Sequence, residues 1–498
     1  MTTHRMTTTP LALLALVTLL VPLALALAAP QADAATSYTN PIKTEKGADP
    51  WIQYYEGNYY LITTSWTSEL TMRRSPTLEG LRTAPSVQVY EETDSSRCCN
   101  MWAPEMYRLE GPDGPRWYIY YSAGEDVTDY VPTQRIHVLE STGDDPMGPY
   151  VYRGELTDPA NDTWQIDGSI LRLDGRMYLM GSYYGTDSQN LFIMPLIDPY
   201  TVGGPRVELA RPTYDWERQG APVLEAPEPL YHNGETFIVY SASFCNTPDY
   251  KLGLLTHNGG DPMNAASWDK SPEPVFERND AAGVYGPAHN GFFTSPDGTE
   301  SWIVYHANDA ESDGCDNGRT TRAQEFTWNA DGTPDFGVPV ATGVSLAAPS
   351  GETAATPTGY TLVNRNSGKC LEVVDGSGAD GVNVAQRACD GSAQQRWSFD
   401  DLGDDTSRII SAQSGKVLDV ANCDTADGAG VRQWSWLDNT CQRFRLVTTD
   451  EGGWVRVENA NSGKVLDVAN CDTADGADVR QWSWLDNTCQ QWRLDAVT

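Results

Sequence analysis

Five strand-turn-strand patterns recur in the first two thirds of the chain. Their turn glycines lie about sixty residues apart, at Gly57, Gly114, Gly175, Gly234 and Gly298. Each glycine joins two runs in which tyrosine and aliphatic residues alternate with other residues, as in a β-hairpin. Five all-β units of similar length, with hardly any helical periodicity between residues 40 and 345, indicate a five-bladed β-propeller. The alternative is a β-sandwich, in which turn signals come at shorter and less regular intervals.

An ionisable residue precedes each turn glycine by eight or nine positions. The five are Asp49, Glu105, Asp167, Glu225 and His289. An acidic residue before a strand is most often a turn former or a solvated group, but five at matched offsets predict a ring on the propeller axis. Two carboxylates in one pocket can cleave a glycosidic bond, one as acid and the other as base or nucleophile. A third carboxylate beside the acid would raise the pKa of that acid by like-charge repulsion.

The N-terminal sequence predicts a secretory signal peptide over residues 1–34. His4 and Arg5 precede an apolar run at 11–29, and Ala32-Asp33-Ala34 supplies an A-x-A cleavage pattern. A retained membrane anchor is the alternative. No later stretch is apolar and long enough to cross a bilayer, so we expect a secreted, extracellular protein.

The composition narrows the choice of partner. Ten cysteines in a secreted chain favour disulfides over metal ligands. A formal charge of −34 argues against nucleic acid or an anionic membrane as partner. Abundant Trp and Tyr with few Lys suit a neutral polysaccharide, and nothing in the sequence requires more than a monomer.

Six motifs in order resemble glycoside hydrolase family 43. They are ADPW around Asp49, WAPEM at 102–106, IDGS around Asp167, EAPEPLYHNG from Glu225, YGPAHN around His289, and FTWNADGTP at 326–334. The resemblance implies a propeller over residues 38–346 and an inverting hydrolysis that needs no cofactor. It makes Asp49 the general base, Glu225 the general acid and Asp167 the modulator of the pKa of that acid.

One motif departs from the family pattern, and three further site residues follow from the resemblance. The family acid usually lies in Glu-Gly-Pro, whereas this chain has Glu225-Ala226-Pro227, which leaves Glu228 as a rival acid. Trp102 is a candidate wall for the sugar, with a place in the core as the alternative. His289 resembles a channel histidine that lies near calcium or another cation, held through water. Arg322 is the candidate pocket arginine, and Arg319 is the alternative.

The substrate expected from the resemblance is an arabinose-containing plant cell-wall polysaccharide. The sequence motifs YTNPIKTEKGADPW and CCNMWAPEM are similar to those of exo-acting α-L-arabinofuranosidases, which remove terminal units from α-1,5-arabinan. Arabinoxylan is a related substrate. The alternatives are a β-xylosidase, an endo-arabinanase and a non-catalytic lectin with a degenerate propeller.

Four cysteines fall in the propeller region. The sequence allows three pairings of Cys98, Cys99, Cys245 and Cys315. We favour Cys98 with Cys99 and Cys245 with Cys315, because the latter two follow the second strands of neighbouring blades. A closed Cys98–Cys99 ring would form a stiff apolar platform near the pocket rim.

A second repeat begins after a Pro/Ser/Thr/Ala-rich linker at 347–359. Residues 414–442 return 48 positions later at 462–490 with one substitution, and a looser first copy begins at Tyr360. The copies end in a Q-x-W-like pattern, which resembles the ricin-B-type β-trefoil, carbohydrate-binding module family 13, over residues 360–498. Each copy holds one cysteine pair, and the pairs are Cys370 with Cys389, Cys423 with Cys441, and Cys471 with Cys489.

The lectin resemblance also implies sugar-binding residues. An early Asp would accept hydrogen bonds from sugar hydroxyls and a later aromatic would stack on the ring, which selects Asp419 with Trp434 and Asp467 with Trp482. The alternative is that both tryptophans pack in the core, with Trp436 and Trp484 outside. The first copy has Glu372 and Arg387 at these places, so we predict weak or no binding there.

Overall fold

The computed structural model describes residues 1–2, 36–450 and 452–498, so the predicted signal peptide lies outside the described residues apart from its first two. Regular structure in the described part consists of β-strands and short 3-10 turns. None of its helices has the length and apolar composition needed to cross a membrane. The all-β class predicted from the sequence is confirmed.

The first domain is built from sheets that follow one another along the chain. Strand β1 is Ser37–Thr39. The first blade contains β2 to β5, at Trp51–Tyr55, Asn58–Ile62, Glu69–Ser75 and Val87–Glu91. The second contains β6 to β9, at Cys99–Gly111, Gly114–Gly124, Arg135–Ser141 and Tyr150–Glu155. The third contains β10 to β14, at Gln165–Leu173, Arg176–Tyr184, Gln189–Asp198, Thr201–Val202 and Val207–Ala210.

Two further blades complete the ring. The fourth contains β15 to β18, at Leu224–His232, Glu235–Ala242, Lys251–His257 and Trp268–Lys270. The fifth contains β19 to β22, at Tyr285–Thr294, Ser301–Asn308, Thr320–Trp328 and Pro334–Asp335. Strand β23, Ser345–Ala347, then returns to pair with β1.

The first strands of the five blades form the wall of the central channel. Strands β2, β6, β10, β15 and β19 contact one another in this order, and β19 closes on β2. Aromatic and aliphatic side chains fill the space between blades, as Ile238 and Tyr240 do between the third and fourth. The propeller predicted from the glycine spacing is confirmed, and its innermost strands meet where the sequence placed the ionisable residues.

The second domain is a β-trefoil of twelve strands. Strands β24 to β29 are Gly359–Asn364, Cys370–Val373, Val384–Arg387, Trp397–Asp401, Ser407–Ser411 and Val417–Val420. Strands β30 to β35 are Val431–Trp434, Phe444–Asp450, Trp454–Asn459, Val465–Val468, Val479–Trp482 and Trp492–Val497. Six of them close a barrel in the order β24, β27, β28, β31, β32, β35, and three hairpins cap it. Trp397, Phe444 and Trp492, which end the Q-x-W-like patterns, are all buried in its core.

The two domains share a continuous sheet. The outer strand of the first blade, β5, pairs in parallel with β31, with Val87 opposite Leu446. This pairing covers a strand edge that would otherwise present unpaired backbone groups. The segment before β24 also packs on the propeller, where Glu352 accepts a hydrogen bond from the backbone N–H of Leu78 at 2.9 Å.

Short 3-10 turns occupy several connections. They are Glu79–Arg82, Val131–Thr133, Asp215–Glu217, Ala265–Ser267, Asp280–Ala282, Val374–Gly376, Ala393–Gln395, Ala421–Cys423, Thr440–Gln442, Ala469–Cys471 and Thr488–Gln490. The structure joins the cysteines as Cys98–Cys99, Cys245–Cys315, Cys370–Cys389, Cys423–Cys441 and Cys471–Cys489.

Candidate active site

A pocket of about 350 Å³ lies where the innermost strands meet, and all five blades contribute to it. Its polar side chains are Asp49, Asp167, Gln189, Glu225, Tyr250, His289 and Arg319. Its other walls are Trp66, Trp102, Val131, Trp164, Ile166, Tyr184, Phe244, Cys245 and Cys315. The pocket therefore combines the predicted carboxylates with an aromatic lining.

A local distortion of each innermost strand accounts for this convergence. At corresponding points the backbone φ is positive at Asp49 (53°), Ala103 (45°), Asp167 (58°), Ala226 (48°) and His289 (45°). Such conformations in residues other than glycine cost on the order of 1–3 kcal/mol and cluster at functional sites. Four of the strands also show a break in ladder register near this point. The distortion gives the side chains at the channel end directions that a regular strand would not give.

Asp49 is held by donors on both carboxylate oxygens. Thr64 donates to Oδ2 at 2.5 Å, and Arg319 donates to Oδ1 at 3.2 Å. Nδ1 of His289 also lies 3.2 Å from Oδ1. Burial by itself raises the pKa of Asp49, but His289, Arg319 and His306 hold it well below its usual value. Asp49 is therefore ionised and can accept a proton.

Burial lowers the pKa of both histidines beside Asp49. Burial and the nearby Arg319 lower the pKa of His306 to about 3. Nδ1 of His306 lies 3.1 Å from the backbone nitrogen of Asp49 and 3.3 Å from its Oδ1. Burial likewise lowers the pKa of His289. Arg319 adds a guanidinium group 3.2 Å from the same carboxylate.

Glu225 and Asp167 form a pair of carboxyl groups in the same pocket as Asp49. Tyr250 donates to Oε1 of Glu225 at 2.8 Å, and Gln189 donates to Oε2 at 2.7 Å. The backbone N–H of Ala226 donates to Asp167 at 3.1 Å. Burial raises the pKa of Glu225, and burial together with the Glu225 charge raises that of Asp167 well above its usual value. The pair therefore keeps a proton to higher pH than an isolated carboxyl group would.

Glu105 and Glu228 lie outside the pocket lining, in a buried layer of their own. Ser169 donates to Glu228 at 3.3 Å, and Tyr107 donates to Glu105. Burial raises the pKa of Glu105 to about 8 and that of Glu228 well above its usual value. The predicted ring is thus wrong for Glu105, because the residue that matches Asp49 in backbone conformation is Ala103. The rival acid Glu228 likewise does not face the pocket, whereas Glu225 does.

The pocket arginine is Arg319, so the sequence-based choice of Arg322 is wrong. Arg322 is fully buried in β21 and donates to Asp309 at 2.6 Å and to Thr320 at 3.1 Å. Arg319 precedes that strand and turns to Asp49 and to Trp66, whose ring centroid lies 5.5 Å away. Motif spacing alone does not show which of two arginines three positions apart, one before the strand and one within it, turns to the pocket.

Aromatic walls complete the pocket. Trp102, named from the sequence, is half-buried and meets Tyr130 edge-on with ring centroids 5.9 Å apart. Sequence reasoning missed Trp66 and Phe244, and also missed Trp164, which stacks on Tyr184 with ring centroids 4.1 Å apart. These residues lie in or next to loops between strands, where no repeat marks them.

The two propeller disulfides differ in their relation to the pocket. Cys98 and Cys99 do form a ring, but neither residue lines the pocket. The Cys245–Cys315 disulfide lines it instead, next to the partly exposed ring of Phe244.

The predicted cation near His289 remains a prediction. The described residues contain no group of three His, Cys, Asp or Glu side chains arranged to hold a metal ion. His289 faces the carboxylate of Asp49, and the adjacent amide of Asn290 is buried without a hydrogen-bond partner. These groups suit a cation held through water rather than by direct ligation.

The trefoil places its candidate sugar-binding residues in pairs. Arg480 contacts Asp467 at 3.1 Å and lies over the ring of Trp482 at 4.2 Å. In the second copy Arg432 lies 3.7 Å from Asp419 and covers Trp434 at 4.1 Å. Both tryptophans are only half-buried, so the core alternative does not hold.

The first copy differs in the way that its sequence predicts. Arg387 takes the place of the tryptophan and donates to Glu372 at 2.5 Å, and Gln395 donates to the other oxygen of Glu372 at 3.1 Å. That carboxylate is held by protein donors, as Asp467 is by Arg480 at 3.1 Å and by Gln490 at 3.2 Å, so the first copy differs in having Arg387 where the other copies have a tryptophan.

The fold and the site together define a carbohydrate-cleaving enzyme, a glycoside hydrolase. A pocket at the propeller axis holds an ionised carboxylate on one blade and a proton-bearing carboxyl pair on two others. The chain belongs to glycosyl hydrolases family 43, whose family model matches residues 38–334. A ricin-type β-trefoil lectin domain-like model matches residues 341–434 and 440–498.

Named relatives agree with the family assignment. The chain is 37% identical over 355 residues to an extracellular exo-α-(1→5)-L-arabinofuranosidase of Streptomyces avermitilis, which covers 69% of this chain and 71% of the relative. It is 35% identical over 280 residues to a protein of the same name from Streptomyces chartreusis, covering 54% and 82%. The crystal structure of an α-L-arabinofuranosidase from Lactobacillus brevis superposes with a TM-score of 0.57 at 30% identity, covering 62% of this chain and 98% of that one.

Proposed function

We propose that the protein is a secreted, inverting, exo-acting hydrolase that releases terminal α-L-arabinofuranose from α-1,5-arabinan or a related polysaccharide. The observation that carries the proposal is the contrast within one pocket between ionised Asp49 and the proton-holding pair of Glu225 and Asp167. General acid-base hydrolysis of a glycoside requires these two protonation states at the same pH.

Asp49 acts as the general base in this mechanism. Its carboxylate takes a proton from a water molecule as the water oxygen attacks the anomeric carbon of the terminal sugar. Arg319 and Thr64 hold the carboxylate in one orientation, and Arg319 keeps it ionised. Because water attacks directly, no covalent sugar-enzyme intermediate forms and the configuration inverts.

Glu225 acts as the general acid and gives its proton to the glycosidic oxygen as the bond to the anomeric carbon breaks. Tyr250 and Gln189 each donate to one of its oxygens and fix the carboxyl group. Asp167 tunes the acid through like-charge repulsion and is itself fixed by the N–H of Ala226, the residue that follows Glu225. In this mechanism the side chains act on the sugar with one water molecule as the co-substrate.

Two features support a terminal furanose as the substrate. All five blades wall the pocket, which suits a chain end better than an internal sugar of a polymer. The two Streptomyces relatives and the Lactobacillus structure carry names of arabinofuranosidases. Trp66 and Trp102 supply flat apolar faces for the sugar ring.

Secretion and polymer binding complete the proposal. Five disulfides suit an oxidising compartment, and the Streptomyces relatives are named extracellular. The trefoil sites at Asp419 and Asp467 would keep the enzyme on plant cell-wall arabinan or arabinoxylan, because two modest sites on one polymer gain by effective concentration.

Product analysis tests the proposal. Linear α-1,5-arabino-oligosaccharides and xylo-oligosaccharides are incubated with the protein, Asp49→Asn and Glu225→Gln, and products are followed by chromatography and by NMR of the first anomer released. We expect single arabinose units as the β-anomer, and loss of release in both variants. Release of xylose would indicate a β-xylosidase instead, and release of internal arabinan fragments would indicate an endo-arabinanase. No hydrolysis of either series would favour a binding protein.

A further inference from the structure

A loop of the trefoil, residues 401–406 between β27 and β28, packs against the segment that carries the proposed base. Both carboxylate oxygens of Asp405 lie 3.5 Å from Nζ of Lys46. At Gly403 an added Cβ would come within 2.8 Å of the carboxylate of Glu45, so the side chain of Glu45 packs against the loop. We call residues 43–49 the base segment.

The same loop supplies counter-ions to buried cations of the propeller. Asp401 accepts from Arg73 at 2.8 Å and from Ser86 at 2.9 Å. Lys43 is buried beneath the loop, where burial and Arg73 lower its pKa to about 7 and the charges of Asp401 and Asp405 oppose that shift. The trefoil carboxylates therefore stabilise charges that the propeller does not neutralise by itself.

The base segment transmits this contact to the pocket. The backbone N–H of Lys46 donates to the carbonyl of Asn317 at 3.0 Å, and that of Gly47 donates to the carbonyl of Arg319 at 2.9 Å. Gly47 is packed so closely that an added Cβ would meet the backbone nitrogen of Thr321 at 2.4 Å. The segment thus fixes the backbone of Asp49 and that of Arg319, its charge partner.

A second connection runs through side chains. Nζ of Lys43 donates to Oγ1 of Thr63 at 2.7 Å. The next residue, Thr64, donates its hydroxyl to Oδ2 of Asp49 and accepts the N–H of Ala103 at 2.7 Å. Lys43, whose charge the trefoil carboxylates stabilise, therefore contacts Thr63, the neighbour of the residue that donates a hydrogen bond to Asp49.

We infer that Asp401 and Asp405 of the trefoil are positioning residues for the hydrolase, so that the lectin domain takes part in turnover as well as in sugar binding. The inference rests on the proposed role of Asp49 as general base. The contact is well shielded, since the Lys46 and Asp405 side chains are 13% and 11% exposed. Breaking one side of a buried ion pair leaves an uncompensated charge, and a displacement of about 1 Å at a reacting group can lower the rate about a hundredfold.

A double-mutant cycle in the full-length protein tests the inference. Asp405→Asn, Lys46→Met and the double variant are assayed on 4-nitrophenyl α-L-arabinofuranoside, which offers only one sugar and so makes polymer binding irrelevant. We expect kcat to fall about tenfold in each single variant with KM within about twofold, because the base is displaced while the sugar walls are intact. The double variant should be no worse than either single one, because the two residues act through one contact.

Thr448→Ala is the matched control. It removes another hydrogen bond between the domains, from Thr448 to the carbonyl of Met147 at 3.3 Å, on a surface that does not reach the base segment. We expect its kcat to stay unchanged. Asp401→Asn extends the test, with the melting temperature of each variant measured and all assays run well below it.

The outcomes separate the inference from the proposed function. Unchanged kcat in Asp405→Asn and Asp401→Asn, with only a lower melting temperature, would show that the contact is structural and overturn the inference alone. The inference would also be overturned if the fold loss of kcat in the double variant equalled the product of the losses in Asp405→Asn and Lys46→Met. A native enzyme inactive both on this glycoside and on linear α-1,5-arabino-oligosaccharides would overturn the proposed function and the inference with it.

Discussion

Nη1 of Arg319 lies 3.2 Å from Oδ1 of Asp49, and both side chains are more than nine-tenths buried. The guanidinium lowers the pKa of Asp49, so its removal should raise that pKa. When the pKa of the base rises, the acidic limb of the plot of kcat/KM against pH moves to higher pH. We expect this upward shift in Arg319→Met, measured with an aryl arabinofuranoside.

The control for this prediction is Arg322→Met. Arg322 contacts Asp309 and Thr320 instead of the pocket, so we expect a lower melting temperature with the acidic limb in place. A shift of equal size in both variants would mean that total charge, and not the contact with Asp49, sets the limb.

The acid should respond in opposite directions to two changes. The Tyr250 hydroxyl donates to Glu225 and lowers its pKa. The charge of Glu225 raises the pKa of Asp167, and because this repulsion is mutual, an ionised Asp167 opposes ionisation of Glu225. Tyr250→Phe should therefore move the basic limb of kcat/KM to higher pH, and Asp167→Asn should move it to lower pH. The Asn amide oxygen can still accept the N–H of Ala226, which makes Asp167→Asn the milder change. Limbs that move in the same direction would contradict the assignment of Glu225 as the acid.

Leaving groups distinguish Glu225 from Glu228. Glu225→Gln should lower kcat on a natural arabino-oligosaccharide by about 10²–10⁴-fold, the usual contribution of a general acid. The loss should be far smaller with a 2,4-dinitrophenyl leaving group, which departs without protonation. Glu228 lies in the layer with Glu105 and Ser169, so we expect Glu228→Gln to have nearly native turnover on both substrates. The reverse result would exchange the two roles.

The buried pair of Glu105 and Glu228 should instead affect stability. Burial raises the pKa of Glu105 to about 8 and also raises that of Glu228. A carboxyl group with a raised folded-state pKa contributes stability below its unfolded-state pKa and loses that contribution as pH rises toward the folded value. The melting temperature should therefore fall between about pH 5 and pH 8, and fall less in Glu228→Gln, which has one such group fewer. The prediction is wrong if the melting temperatures of the native protein and Glu228→Gln fall by the same amount over this pH range.

The repeat spacing predicted the propeller and placed Asp49, Asp167 and Glu225 near its axis, whereas their proposed roles and the trefoil came from the resemblance of the motifs to known families. Regular spacing of turn glycines fixes which strand comes first in each blade, and that strand lines the channel. The spacing failed at Glu105, because the strand distortion centres on Ala103 and sends a residue two places later into another layer. The structural equivalent of Asp49 in the fourth blade is in the same way Ala226, not Glu225.

Residues outside the repeats could not be predicted in this way. Arg319 and Arg322 are three positions apart on the way into one strand, and only the packing decides which one turns to Asp49. Trp66 and Phe244 belong to loops whose lengths differ from blade to blade. The contact of Asp405 with Lys46 joins two domains, and no local pattern in the sequence encodes it.

The three trefoil copies should differ in binding to insoluble arabinan. Asp419→Asn and Asp467→Asn each remove one acceptor for sugar hydroxyls, and each should weaken retention of the full-length protein. The double variant should lose more than the two losses predict separately, because two sites on one polymer reinforce each other. Glu372→Gln is the control, since Arg387 stands beside that carboxylate where the other copies have a tryptophan to stack on the sugar, and its retention should equal that of the native protein. Weaker retention in Glu372→Gln would show that the first copy binds as well, and unchanged retention in the double variant would place the sugar sites elsewhere.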